Sequence, residues 1–252
     1  LHGNEKFIKN LHSGELIEVH RATIKTMSGS SITLSNGETI PADAIVFATG
    51  WNYESAPLDA TDAIDLGLPT PLEHQDTETA TYWEKLHIAA DKDVLQTFPV
   101  LKNPPPFHER EVKHTPFRLY RHILPSSLAA NQDRSLIFLG LVTNIQTSIY
   151  SEISALWGVS WMEGLLDVPL AKDQMDYEIT KVNAWCARRY LSRGRTRQIA
   201  SAEIQDVVDM LMVDMGLKVK RKWNPIADIF VPYRSQDYKG VVQEMVKKSR
   251  AS

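Results

Sequence analysis

The chain has 252 residues, 43% of them hydrophobic and 23% charged, with a net charge of −3. This is the balance of a globular protein with a sizeable core, in one large or two smaller domains at roughly 150 residues each, and it gives no general attraction to nucleic acid or an anionic membrane. The single cysteine, Cys186, excludes an internal disulfide, a CxxC redox centre and a cysteine-rich zinc site.

No apolar stretch approaches the ~20 residues of a bilayer span, and "LHGNEKF" lacks the apolar core of a signal peptide. A reducing, cytoplasmic setting is the default expectation. Residue 1 is Leu, so the chain is expected to be a processed product or a piece of a longer protein.

Taken in order, residues 16–25 and 31–34 are rich in β-branched side chains and predict strands. Asn36-Gly37 sits between "ITLS" and "ETIP", the pairing favoured in two-residue hairpins because both central residues take positive φ. Residues 43–49 of "DAIVFATGW" form a continuous apolar run, which predicts a central strand buried on both faces, as in a parallel sheet. The first 50 residues thus read as a β meander feeding a central strand.

Most of the 13 prolines fall between Pro57 and Pro125. Missing donors and fixed φ predict a looping region over 51–134 with short elements at most. Its aromatic residues, among them Trp83, Phe98, Phe107 and Tyr120, argue for a packed excursion with an apolar surface. "SLIFLG" at 135–140 predicts a second short buried strand. A polar loop, Thr143 to Ser148, follows. Ile149, Ile153, Leu156 and Ser160 then recur at helical spacing, with Gly158 and Gly164 permitting a close neighbour. In the helical last third, Met175, Ile179, Val182 and Cys186 make one stripe that stops at Gly194. Ile204, Val207, Val208, Leu211, Met212 and Met215 make another, with Ser201 as N-cap and Gly216 as the residue beyond the helix end.

Two strand ends carry the chemistry. Ala48-Thr49-Gly50 joins a small residue, a hydroxyl and a glycine where a flat ligand could approach the main chain. The loop at 143–148 leads into a helix N-terminus, whose free N–H groups and partial positive charge suit anionic ligand atoms. Each alone is also compatible with a plain strand exit or ordinary capping. Other clusters are weaker. The arginines at 188, 189, 193, 195 and 197 and the run "LKVKRK" at 217–222 read as solvated surface. His108, His114 and His122 match no metal-ligand spacing. Arg118, Tyr120 and Arg121 suit either cofactor contact or packing, and packing is the favoured reading.

In order, "DAIVFATGW", "TPFRLYRHILP", "SLIFLGLVTNIQTSIYSEISALWGVSWMEGLL" and "WNPIADIFVPYRSQDYKGVV" resemble the C-terminal half of flavin-containing monooxygenases, fungal members in particular. The resemblance implies an α/β chain that forms part of a fold with two dinucleotide-binding domains, one for FAD and one for NADPH. By that resemblance, 1–50 ends the NADPH domain, 51–134 is an insert facing substrate, and 135–252 completes the FAD domain with a helical tail. It implies N- or S-oxygenation of a small organic substrate through a flavin hydroperoxide. Ala48, Thr49 and Gly50 would line FAD, and Thr143, Asn144 and Gln146 would hydrogen-bond near the flavin ring. No side chain is assigned as catalytic and none as a metal ligand, because the cofactor carries the chemistry.

The family's Gly-x-Gly-x-x-Gly turns, which hold the pyrophosphates, do not occur anywhere in these 252 residues. The isolated chain is therefore expected to bind FAD weakly or not at all, its partner being an absent N-terminal half or another chain. The alternative is a non-catalytic remnant or interaction protein. A flavin reductase acting on disulfides is disfavoured by the lone cysteine.

Overall fold

The computed structural model describes residues 5–46, 58–142, 147–166, 168, 171–195 and 204–250. The protein is mixed α/β and mostly helical. It divides into two compact units, Leu1–Tyr53 and Glu54–Ser252.

In the first unit, helix α1 (Glu5–Ser13) places Phe7, Ile8 and Leu11 on one side, and none of its residues is buried. Strands β1 (Ile24–Ser28), β2 (Ser31–Leu34) and β3 (Thr39–Pro41) form an antiparallel meander in that order. The register pairs Met27 with Ile32 and Ile32 with Ile40. The turn predicted at Asn36-Gly37 is present, but of the pair only Gly37 takes positive φ, at 88°. Gly37 N–H closes on the Leu34 carbonyl at 3.0 Å, and Leu34 N–H donates to Glu38 at 2.8 Å. This is a three-residue loop whose last residue is left-handed, so one glycine suffices.

The second unit begins with α2 (Ala60–Asp65), capped by the Asp59 carboxylate, which accepts from Asp62 N–H at 2.9 Å. Its end turns at Gly67, at φ +73°, where a Cβ would lie 2.3 Å from the Arg118 carbonyl oxygen. Helix α3 (Thr77–Thr97) is capped by Asp76. Strands β4 (Leu119–Tyr120) and β5 (Leu124–Pro125) form a short hairpin, followed by α4 (Ser126–Ala130) and α5 (Thr147–Met162). Then come α6 (Lys172–Tyr190), α7 (Ile204–Asp214), α8 (Pro225–Phe230) and α9 (Val241–Ser249).

The core is helical. Trp157 and Trp161 of α5 lie with Met175 and Ile179 of α6, Leu211 and Met212 of α7 and Met245 of α9, together with Tyr120 and Ile123. The predicted stripes of α5, α6 and α7 are the faces that pack: Ile149, Ile153, Met175, Ile179, Cys186, Val208, Leu211 and Met212 are all buried. Gly158 is in close contact with Ile137, and a Cβ at Gly194 would overlap the Cys186 carbonyl, so both glycines serve approach. Gly216, at φ +61°, sends its N–H to Val213 at 2.8 Å while Leu217 N–H reaches Met212 at 2.9 Å. That pair of bonds closes α7 in a Schellman motif.

Several expectations are corrected. The strand expected at 16–25 begins only at Ile24 and runs to Ser28, and residues 16–23 form no strand. The insert at 51–134 is not limited to short elements, since α3 alone runs for 21 residues. Its prolines flank a stretch from Leu72 to Phe98 that has none, and Asp76 starts the helix there. Only Ala90 and Val94 of α3 are buried, so its apolar periodicity is faint. Residues 43–46 form no strand, with Val46 88% exposed; residues 47–49 lie outside the described residues. Residues 135–140 are not a strand either: among the described residues their one backbone–backbone hydrogen bond is Phe138 N–H to the Ile123 carbonyl at 2.9 Å. An apolar run becomes a strand only where a neighbour satisfies its backbone, and among the described residues neither run has one. All strand pairings among the described residues are antiparallel. The run at 217–222 is a loop that is solvated only in part: Lys218 and Lys220 are exposed, whereas Arg221 pairs with Glu244 and Lys222 with Asp237, with these two side chains 6% and 4% exposed.

The hairpin turn after β4 holds two consecutive non-glycine residues at positive φ, Arg121 at 55° and His122 at 63°, a strained conformation. Arg121 is anchored by Asp214 of α7 (Nε to Oδ2 2.7 Å, Nη2 to Oδ1 3.2 Å) and by Glu178 of α6 at 3.1 Å. Trp157 Nε1 donates to the same Asp214 carboxylate at 3.0 Å. Burial works against the Arg121 charge, but the Asp214 hydrogen bonds together with the attraction of Asp214, Tyr120 and Glu178 raise the Arg121 pKa above its ordinary value. Asp214→Ala leaves a guanidinium and an indole N–H without their acceptor. It is expected to lower stability by about 3 kcal/mol, read as a shift of the denaturant midpoint with the slope unchanged.

Candidate functional site

Every residue assigned from sequence to the flavin site (Ala48, Thr49, Gly50, Thr143, Asn144 and Gln146) lies outside the described residues. Their flanks are described. Val142 is buried at 6% exposure, and α5 starts at Thr147 with no acidic residue in its first turn. The positive end of that helix is thus not neutralised by a carboxylate of its own first turn. Tyr150 closes the same turn. Its hydroxyl is buried, finds no partner among the described residues, and is held protonated well above the ordinary tyrosine pKa by burial.

A cavity of about 1030 Å³ is a cleft between α3 and α6, covered by the chain from Pro104 to Arg118. Three contacts set its walls. Arg188 of α6 holds Asp91 of α3 with two bonds of 2.7 Å. Asn183 Nδ2 donates to the Phe117 carbonyl at 2.8 Å, pinning the covering segment to α6. Thr70 and Thr115 exchange backbone and hydroxyl hydrogen bonds of 2.8 and 3.0 Å, which tie the same segment to the chain before α3.

Arg118 stands at one end of the cleft. Its guanidinium lies 4.4 Å from the centre of the Trp83 ring. With the Gln75 amide oxygen turned toward it, its two terminal nitrogens donate at 2.7 and 3.1 Å. Burial lowers the Arg118 pKa to about 10, with Asp176 opposing the fall from further away. Beyond Arg118 and Trp83 lies a second hollow of about 600 Å³, bordered by Tyr82, Ser126 and Lys172.

Of the aromatics expected to give the insert an apolar surface, Trp83 and Phe107 line the cleft, whereas Phe98 does not and is 45% exposed. In "TPFRLYRH", Tyr120 is core and Arg121 packs, as favoured from sequence, while Arg118 borders the cavities. Within the arginine cluster, Arg188 is an interhelical partner instead of a solvated charge, and Arg195 reaches Glu109 at 3.6 Å. The pairing of Arg188 with Asp91, 97 residues apart, has no local signal in sequence. Among the described residues no three His, Cys, Asp or Glu side chains group as metal ligands, and no helix is long and apolar enough to cross a membrane.

Nearly the whole chain aligns with FAD-dependent monooxygenases of fungi. No family profile matches the chain. The FAD-dependent monooxygenase resA of Aspergillus sclerotiorum is 33% identical over 249 residues, covering 96% of this chain and 42% of that protein. The FAD-dependent monooxygenase rstn6 of Aspergillus nomiae is 32% identical over 93% of the chain and 40% of its own length. The FAD-dependent monooxygenase DEP4 of Fusarium langsethiae is 33% identical over 94% of the chain and 41% of its own length. The chain spans about two fifths of the length of the curated relatives it matches. The chain is thus similar along nearly its whole length to part of these FAD-dependent monooxygenases.

The Asp91–Arg188 pair carries a pH signature. The hydrogen bonds from Arg188 hold the Asp91 carboxyl below the usual carboxylate pKa. Because the folded pKa is the lower one, the pair's contribution is complete above the unfolded pKa, at about 4, and is lost as pH falls through the folded value. Asp91→Asn is expected to flatten the loss of denaturant midpoint on going from about pH 6 to about pH 3. An acid-side slope equal to that of the unsubstituted chain contradicts the assignment.

Proposed function

We propose that this chain supplies the flavin-side part of an FAD- and NADPH-dependent monooxygenase that adds one oxygen atom to nitrogen or sulfur of a small organic substrate. The observation that carries the reading is the similarity to FAD-dependent monooxygenases over 96% of the chain. In this reading, residues 1–50 end an NADPH-binding domain, 51–134 form a substrate-facing insert, and 135–252 complete the FAD-binding domain. Together they are part of a fold with two dinucleotide-binding domains.

FAD, when bound, supplies the chemistry: it accepts hydride equivalents from NADPH and activates oxygen. The chain's own residues bind and orient. By the resemblance, the small residues Ala48, Thr49 and Gly50 would line the flavin, and the polar residues Thr143, Asn144 and Gln146 would hydrogen-bond near its ring. Two features that follow the 143–146 loop in sequence are compatible with a polar, electron-rich neighbour. The first turn of α5 has no acid, and Tyr150 keeps a buried hydroxyl without a partner among the described residues. A helix N-terminus at that edge would stabilise negative charge on a reduced ring.

The chain contains no Gly-x-Gly-x-x-Gly turn. That observation favours a second reading, a non-catalytic interaction protein, for a polypeptide confined to these residues. The two readings separate on expression of the chain together with its upstream coding sequence. The longer polypeptide is expected to purify yellow, with one FAD per chain, and to consume NADPH and oxygen with a nitrogen- or sulfur-containing acceptor. The joint substitution Asn144→Ala and Gln146→Ala is expected to weaken FAD binding roughly tenfold or more through two lost hydrogen bonds. A longer polypeptide without flavin would overturn the enzyme reading. Stoichiometric FAD on residues 1–252 alone would overturn the assignment of the pyrophosphate sites to other sequence.

A further inference from the structure

We infer that the cleft between α3 and α6 is a binding site for a carboxylate carried on an apolar, ring-containing molecule, with Arg118 as the residue that takes the carboxylate. The cleft, at about 1030 Å³, is at the upper end of the range for small-molecule sites. Its lining joins aromatic and aliphatic surface from Trp83, Phe107 and Val112 to a small set of polar groups. Such a surface suits an apolar body with one polar end.

The charge at that end follows from which cations of the wall are already satisfied. Arg188 is matched by two hydrogen bonds to Asp91, and Arg195 lies against Glu109. Arg118 is different. It makes no ion pair with any carboxylate of the described residues, and its side-chain hydrogen-bond partner is a neutral amide, Gln75. The nearby buried carboxylate, Asp176, is already engaged by Lys172 at 2.6 Å, Tyr82 at 2.9 Å and Ser126.

A guanidinium has five N–H donors in a planar fork, and Gln75 uses one from each terminal nitrogen, so donors remain for a second acceptor. The Trp83 ring covers one face and holds the plane of the fork. A half-buried cation that is positioned but not neutralised is matched by one negative charge. A singly charged carboxylate matches that one buried fork; Lys85, the other lining cation without an ion pair among the described residues, is exposed, so phosphate is the competitor the titration has to separate. The inference concerns equilibrium binding to this unit and stands apart from the flavin reading.

The test is calorimetric titration of the 252-residue chain, without flavin, with 2-naphthoate, its neutral amide 2-naphthamide, and inorganic phosphate. Naphthoate is expected to bind one to one, with the amide and phosphate each at least about tenfold weaker. Arg118→Gln is expected to bring naphthoate down to the affinity of the amide. Gln75→Glu supplies an internal carboxylate to the same guanidinium. It is expected to weaken naphthoate by about tenfold or more without lowering the denaturant midpoint, and it serves as the test should the Arg118 variant fail to fold. Equal affinity for acid and amide, tighter binding of phosphate, unchanged naphthoate affinity in both variants, or no binding of naphthoate would each overturn the inference.

Discussion

A carboxylate buried in a helix interface must be met by donors, and the placement of Asp176 follows from that requirement. Its side chain has no exposed surface. It accepts from Tyr82 on α3, from Ser126 at the start of α4 and from Lys172 one turn earlier on α6. A buried charge left without these partners would cost several kcal/mol, so the three elements are held where their donors converge. With Tyr82 fixed to α6, α3 runs alongside it, and Arg188 with Asp91 repeats the tie further along the pair. The cleft is the space that these two ties leave between the helices once the Pro104–Arg118 segment crosses over them.

Asp214 does the same work on the other side of α6. It gathers Arg121 from the hairpin and Trp157 from α5 onto α7, and the strained backbone at Arg121 and His122 persists because those bonds over-determine it. Around both carboxylates the packing is apolar and dense, with the two fully buried tryptophans of α5 at its centre. The contrast with Arg118 is informative. Arg121 and Arg188 each have a carboxylate, whereas Arg118 has an amide and an aromatic face. Arg188 and Arg118 both line the cleft, and what separates them is that Arg188 is held in an ion pair and Arg118 is not.

Two regions therefore bear on function, and they are of different kinds. The polar loop before α5 is where resemblance to flavin-dependent monooxygenases points, and its described flanks, the acid-free first turn and the buried Tyr150 hydroxyl, agree with an electron-rich neighbour. The cleft between α3 and α6 is where the described geometry points, through an unmatched cation and an apolar wall. Similarity reaching across 96% of the chain covers both regions.

What the sequence by itself determined was mostly local. The stripes of α5, α6 and α7, the glycines at 158 and 216, the turn at Gly37 and the strand at 31–34 could be read because each depends on residues a few positions apart. The ordered segments that resemble flavin-dependent monooxygenases were legible for the same reason, being contiguous. Only the tertiary structure decided the rest. Helix α3 was obscured because it packs chiefly through Ala90 and Val94 and so shows little apolar rhythm. The runs at 43–46 and 135–140 look like strands, yet a strand is made by the neighbour that pairs with it, and no neighbour can be read from the run itself. The role of Arg118 was beyond reach for an allied reason: whether a guanidinium packs, pairs or waits for a ligand depends on which carboxylates the fold brings beside it, and Asp91, Asp214 and Asp176 arrive from about 50 to 100 residues away.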